Sequence, residues 1–432
     1  MFVYQAHEYL SQSLKATFNA AAQALALQGK LVKFFSPKAD PSCDELAHNL
    51  MSSARILEHI GSEHPPAAFG LKTTKINGQD CSVSEETLVD KPFGRLLHFK
   101  CEPPGPAARH VPKILLLAPI SGHKATILRD TVRDLLPDSD VYVAEWKDAR
   151  EVPLKQGFFD LDTYFDYVQD YLHEIGPQAH LIGISQSTVP ALSVTSLMAA
   201  RKDPCTPMSM TLMCGPIDPS IKETEVSRLT RQQGIDWLRQ NVIMPVPQGY
   251  AGAGRPVYPG FVQSAGIMMV APQKQHQHPL HTINELFRGQ GEKLDADAPY
   301  YLQMIEDIFI KRRLARGTLT SRNEKIDPGK IDRTGLLVVE GSNDNITAPG
   351  QTKAAHDLCK GIPDHLRDYQ LVVGAGHYDV FSGPLWESNI SNKIKYFIRK
   401  IAAFEGIAYD PPQVAALSKA APIQSQKPAL AA

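Results

Sequence analysis

The chain has 432 residues, 43% of them hydrophobic and 21% charged, an ordinary balance for a water-soluble globular protein. Its 45 basic and 46 acidic side chains leave a formal net charge of -1, so no global field gathers nucleic acid or anionic lipid. The length allows one large domain with insertions, or two domains. Cys43, Cys81, Cys101, Cys205, Cys214 and Cys359 are scattered without a C-x-x-C pair and read as reduced thiols. The first residues lack the basic and unbroken apolar regions of a secretion signal, and AAAQALAL is too short to span a bilayer. A cytoplasmic protein without a transmembrane segment is expected.

Taken in chain order, residues from Phe2 to about Leu31 place Tyr4, Tyr9, Leu10, Leu14, Phe18, Ala21, Ala22 and Leu25 at helical spacing. This predicts an amphipathic helix. Packing on its own domain is preferred over a membrane or granule-surface role. Residues 37–70 read as further helices broken by prolines, including Pro65-Pro66, so 1–95 is assigned as an N-terminal helical segment. Short apolar runs then alternate with amphipathic segments. Predicted strands are Lys113–Ala118, Val141–Trp146, His180–Ile184, Ser209–Met213, Gly335–Glu340 and Tyr369–Val373, with helices such as Ala125–Leu136 and Asp160–Ile175 between them. That alternation predicts an α/β core over 96–218 and 333–405, with a mostly parallel sheet covered on both faces. The pattern lapses at 219–332, which is expected to be a cap over a cleft. The tail 406–432, rich in Ala, Pro and Gln, is expected to be disordered. No internal repeat is evident.

The chemistry-bearing stretch is Leu181-Ile182-Gly183-Ile184-Ser185-Gln186-Ser187. An apolar strand runs into a small-residue corner carrying one hydroxyl, with a helical segment behind it. This is how an α/β-hydrolase fold presents a nucleophile, although Ser187 stands where the G-x-S-x-G pattern has glycine. A serine needs a base within hydrogen-bond reach and a third group to orient that base. Two later strands end suitably. One runs into Glu340-Gly341-Ser342-Asn343-Asp344, the other into Gly374-Ala375-Gly376-His377, giving the order Ser185, Asp344, His377. Oxyanion donors are expected at the backbone of Gln186 and of Ile120, with Ser121 close behind. Ser121, Trp237 and Tyr258 are expected to contact substrate.

Other candidates are weaker. His276, His278 and His281 lack a carboxylate or thiol at ligand spacing and read as a solvated loop, so no metal is expected. Cys214 ends a strand with no assigned base and reads as a buried core residue. The Gly252/Gly254 segment follows no strand and opens no helix, which excludes a dinucleotide loop. No cofactor is expected.

Beyond these patterns, MFVYQAHEYL, LLLAPISGHKATILRDTV, DVYVAEWKDAR, VPLKQGFFDLDTY, GPIDPSI, GRPVYPGFVQ, VEGSNDNITAPGQTKAAHDLC and GAGHYDVFSG resemble the intracellular poly(3-hydroxybutyrate) depolymerases. The resemblance runs over nearly the whole chain before the tail. It implies cleavage of 3-hydroxyalkanoate esters in amorphous polymer at storage granules, with the nucleophile on Ser185, the acid on Asp344 and the base on His377. Such proteins commonly carry cysteine at the elbow, in a context like V-C-Q-P, whereas this chain has serine. A serine acyl-enzyme is an oxygen ester, so transfer to coenzyme A would run uphill relative to hydrolysis, and water is the expected acceptor. The rivals are a polyhydroxyalkanoate synthase, which needs the cysteine thioester, a non-catalytic granule protein, and a small-ester hydrolase. The last is disfavoured because Tyr250, Tyr258, Phe261 and Trp237 suit a long apolar chain.

Overall fold

A computed structural model describes residues 2–35, 41–61, 68–102, 109–263 and 294–412. The chain opens with two helices, α1 (Phe2–Phe35) and α2 (Pro41–Gly61), packed along one another. Strands β1 (Thr73–Ile76), β2 (Gln79–Asp90), β3 (Gly94–Glu102), β4 (Lys113–Leu117), β5 (Asp140–Trp146), β6 (Ala179–Ile184) and β7 (Ser209–Met213) follow. Helices α3 (Arg129–Leu135), α4 (Leu161–Ile175) and α5 (Thr188–Arg201) lie between the later ones. Next come α6 (Glu225–Asn241), the short strands β8 (Met244–Pro245), β9 (Pro256–Tyr258) and β10 (Ala296–Asp297), helix α7 (Ala298–Met304), and the hairpin β11 (Thr320–Ser321) and β12 (Glu324–Lys325). Strands β13 (Gly335–Gly341) and β14 (Arg367–Val372) and helix α8 (Ser391–Phe404) close the described chain.

Nine strands form one sheet in the order β1-β2-β3-β5-β4-β6-β7-β13-β14. The first three pair antiparallel, and the six from β5 to β14 run parallel. Past the extra edge strand β1, this is the strand order of an α/β-hydrolase. The order reverses at β4, so the loops leaving β4 and β6 diverge and open a crevice at their C-terminal ends. The parallel strands are continuous apolar runs because both faces are covered: every residue of β6, β7 and β13 is buried. Helix α5 is buried almost all round, as a helix passing through the core must be. Helix α4 is two-sided, and its predicted start is fixed by Asp160, whose Oδ1 accepts the N–H of Thr163 at 2.7 Å.

The insertion between β7 and β13 carries α6, the small sheet β10-β9-β8, α7 and one π-helical turn, Ile305–Ile310. Two expectations are corrected. The N-terminal segment is not helical to residue 95, because the sheet begins at Thr73; β2 is largely solvent-facing and polar, with no apolar run to betray it. The tail is not loose from residue 406. The Tyr409 hydroxyl bonds His180 Nε2 at 3.2 Å, and Asp410 takes the N–H of His110 on its carboxylate at 2.9 Å. Residues 413–432 and Pro65-Pro66 lie outside the described residues.

Candidate active site

Strand β6 ends at Ile184, and Ser185 turns the chain with φ +56°, a left-handed conformation that costs a non-glycine residue. The turn points Oγ away from the sheet. Gly183 is required just before it, since a Cβ there would sit 2.8 Å from Ala191 Cβ and 2.9 Å from the Ser187 carbonyl. Ser187 fills the second-glycine position without loss. Its Oγ accepts the Ile184 N–H at 2.7 Å and lies 2.8 Å from the carbonyls of Leu117 and Ile184, either of which can take its proton. The hydroxyl closes the corner and ties it to β4.

Asp344 and His377 arrive from the ends of β13 and β14. Asp344 Oδ1 accepts the backbone N–H groups of Ile346 and Thr347 at 2.9 and 2.8 Å, which leaves Oδ2 for His377 Nδ1 at 2.7 Å. The other ring nitrogen, Nε2, lies 3.0 Å from Ser185 Oγ. All three side chains are buried. The two loops are laced together: Asn343 donates its N–H to the Ala375 carbonyl at 2.9 Å, and Gly374 donates to Ser342 Oγ at 2.8 Å. Glu340 holds the rest of the acid loop by accepting the N–H groups of Gly350, Thr352 and Lys353 and the Tyr369 hydroxyl, all within 3.0 Å. Sequence reading passed over Glu340. The signal was there, since a carboxylate in the apolar run LLVVEG must find partners.

Burial opposes charge on His377; Cys214 beside it would favour that charge only as a thiolate, the Asp344 carboxylate on Nδ1 favours it outright, and the pKa is raised above the ordinary histidine value. Cys214 is itself fully buried with φ +43°, its thiol 3.8 Å from the His377 carbonyl, and burial raises its pKa. It therefore sits beside the base as a neutral thiol and is absent from the cavity wall. A neutral histidine between a carboxylate and a hydroxyl can take a proton from that hydroxyl as it attacks an electrophilic carbon.

Ser185 and His377 open onto a cavity of about 240 Å³. Its wall is mainly apolar: Val226 and Leu229 of α6, Ile305 and Phe309 of the π-helical turn, and Tyr258 stacked on Tyr301 at 3.9 Å. Gln186, Ser121 and Tyr258 line it. The Ile120 side chain turns into the core, and the loop shows Pro119 and Ser121 to the cavity instead. Trp237 is a correction. It is 43% exposed and does not line the cavity, because Gly234, at φ 75° and ψ 168°, breaks α6 after Thr230 and ends the helical phase that would have carried Trp237 inward. His276, His278 and His281 lie outside the described residues. Among the described residues, two trios have possible ligand atoms within 4.8 Å of one another, Cys214/Asp344/His377 here and His173/Asp203/Cys205 elsewhere. In each, the histidine and the carboxylate are bonded to one another at 2.7 Å.

Residues 214–402 match the family described as PHB de-polymerase C-terminus. The matched stretch begins at Cys214 and holds Asp344 and His377, with Ser185 upstream of it. No curated protein matches the chain. Among solved structures, a soluble variant of monoglyceride lipase from Saccharomyces cerevisiae is 12% identical, covering 78% of this chain and 99% of its own at TM-score 0.46. A monoacylglycerol lipase from Paleococcus ferrophilus is 13% identical, covering 68% and 97% at TM-score 0.44. A thermophilic esterase from Thermogutta terrifontis is 15% identical, covering 76% and 97% at TM-score 0.41. No helix among the described residues is long and apolar enough to cross a membrane.

Proposed function

We propose that this chain, a carboxylic ester hydrolase whose residues 214–402 form a PHB de-polymerase C-terminus domain, hydrolyses the 3-hydroxyalkanoate ester bonds of amorphous storage polyester. The observation that carries the reading is the Ser185–His377–Asp344 line, at 3.0 and 2.7 Å, at the foot of an apolar cavity. Such a cavity suits the methyl and methylene groups of a polyester chain, while the reacting carbonyl meets the serine.

In the proposed mechanism His377 takes the Ser185 proton as Oγ attacks the ester carbonyl, and Asp344 holds the imidazole in the required tautomer. The oxyanion is met by the N–H of Gln186, at the start of the helix behind the nucleophile, and by an N–H of the Ile120–Ser121 loop. Each such donor is worth about 3–4 kcal/mol. His377 then gives its proton to the departing alkoxide, which is the hydroxyl end of the shortened chain. Water, activated by the same histidine, cleaves the acyl-serine. Coenzyme A is a poor acceptor, because an oxygen ester lies below a thioester in energy. A synthase would need a thiol at the nucleophile position, and the nearby Cys214 is buried behind the base.

The test is incubation of purified protein with amorphous poly(3-hydroxybutyrate) granules, with and without coenzyme A, followed by product identification. Release of 3-hydroxybutyrate or its oligomers, unchanged by coenzyme A, is expected. Ser185→Ala should lower that rate about a thousandfold or more. A dominant 3-hydroxybutyryl-CoA product would overturn the choice of water. Polymer made from 3-hydroxybutyryl-CoA would replace depolymerase with synthase.

A further inference from the structure

Helix α1 has two apolar faces, and only one is used. One side of the helix, with Ala22 and Gly29 buried and Phe18 and Leu25 half-buried, is the side on which a Cβ on Gly29 would come 2.8 Å from Met51 Cγ of α2. On another side Leu10, Leu14, Thr17, Ala24, Leu27 and Leu31 recur at steps of three, four or seven residues, and all are exposed. Tyr9 beside them is 72% exposed, Leu10 58% and Leu27 59%. No described residue covers this stripe, which runs along a helix of 34 residues, about 50 Å at 1.5 Å per residue.

The helix is rooted at the cavity rim. The Tyr4 hydroxyl donates to Asp295, and its ring lies 5.4 Å from that of Phe261. Two residues after Phe261, Gln263 lines the cavity, while Leu294, next to Asp295, donates its N–H to Gly122 beside the lining Ser121. Leu229 and Tyr378, which also line the cavity, are 40% and 37% exposed.

We infer that the outer face of α1 docks the enzyme on the polyester surface itself. The occupant is named on the strength of the depolymerase reading, and the chemistry of the stripe agrees with it. Between Tyr9 and Phe35 the only charged residues are Lys15, Lys30 and Lys33, with no carboxylate. A polyester offers alkyl groups and ester carbonyls, which are acceptors only, so alkyl side chains flanked by ammonium donors match it and acidic ones would not. A second copy of this chain fits poorly. The middle of the stripe is Thr17 and Ala24, too small for a coiled-coil seam, and pairing would set lysine against lysine.

The experiment compares wild type, a Leu10→Ser/Leu14→Ser/Leu27→Ser/Leu31→Ser variant, and the corresponding four-fold Leu→Met variant. Each is sedimented with protein-free amorphous poly(3-hydroxybutyrate) particles and assayed separately on a soluble 3-hydroxybutyrate oligomer. The serine variant should lose about tenfold or more in particle binding and particle hydrolysis, with oligomer turnover unchanged. The methionine variant should keep both. Wild-type binding by the serine variant would overturn the inference. So would stronger wild-type binding to anionic phospholipid vesicles than to the particles, or a change from dimer to monomer with particle binding intact. Stripe-dependent binding with no ester cleavage would instead sink the catalytic reading and leave the docking face standing.

Discussion

In the proposed mechanism the chemistry turns on His377, which must be neutral to receive the Ser185 proton. The Asp344 carboxylate at 2.7 Å stabilises its charged form and raises its pKa above the ordinary histidine value of 6.5. Activity carried by the deprotonated ring is therefore lost as pH falls through that raised value, and the acid limb of kcat/KM is expected above pH 6.5. Asp344→Asn should move the limb down and lower kcat by about four orders of magnitude, since the amide supports the wrong tautomer. Cys214→Ala should leave the limb in place, because a thiol kept neutral by burial adds no charge. A limb that followed Cys214 and ignored Asp344 would show the opposite, and pH-rate profiles of the three proteins decide. That Ser185, Asp344 and His377 come together was legible in the sequence because each follows an apolar strand, and strand ends converge in a parallel sheet. Glu340 and Ser187 were not read, since their roles are hydrogen bonds to backbone groups brought close only by folding. Trp237 was misread because one glycine conformation reset the face of α6.

At the scale of elements, a buried ion pair between two cap residues bonds in turn to the core loop after β5 and ties the cap to it. Arg255 Nη1 lies 3.0 Å from Asp297 Oδ2, and its guanidinium also donates to the carbonyls of Val152, Pro153 and Gly157 at 2.9–3.0 Å. Asp297 in turn accepts the Phe159 N–H at 2.7 Å. Gly252 allows this approach, since a Cβ there would meet three backbone oxygens at 2.8–2.9 Å. Two unusual strings of the sequence, GRPVYPGF and VPLKQGFF, are thus the halves of one joint. Removing one partner of a buried ion pair typically costs about 3–5 kcal/mol. Arg255→Met should lower the urea midpoint accordingly and loosen the wall formed by Tyr258, while Lys311→Met, an exposed pair partner, should change it little. The elements themselves divided by how they are stabilised. Buried parallel strands and the capped helix α4 announced themselves as apolar runs and a capping aspartate. The β1–β3 meander did not, because an antiparallel strand with one wet face can be mostly polar.

At the scale of the molecule, helix α1, the loop after β5 and the cap meet at one buried polar cluster. Asp148 and Asp295 share it with the single guanidinium of Arg150, and the Tyr4 hydroxyl donates to Asp295. Tyr250, bonded to Glu8 at 3.1 Å, stands at its edge with its ring 5.1 Å from that guanidinium. Two buried carboxylates cannot both stay charged cheaply against one cation. Burial first, and the Asp295 charge second, push the Asp148 pKa up to about 7, and burial raises Asp295 as well. A carboxylate whose folded pKa exceeds its unfolded value binds more protons in the native state. Between the ordinary aspartate value of 3.8 and about 7, stability therefore falls as pH rises. The junction that roots α1 at the cavity rim should consequently tighten on mild acidification and slacken in alkali, where the histidine base is most active. Thermal unfolding and limited proteolysis of α1 across pH 5 to 9 would measure this. The wild type should melt higher and release α1 more slowly at the acid end. Asp148→Asn, which removes the titrating charge and keeps its shape, should flatten that dependence. An unchanged slope in the variant would place the proton elsewhere in the molecule.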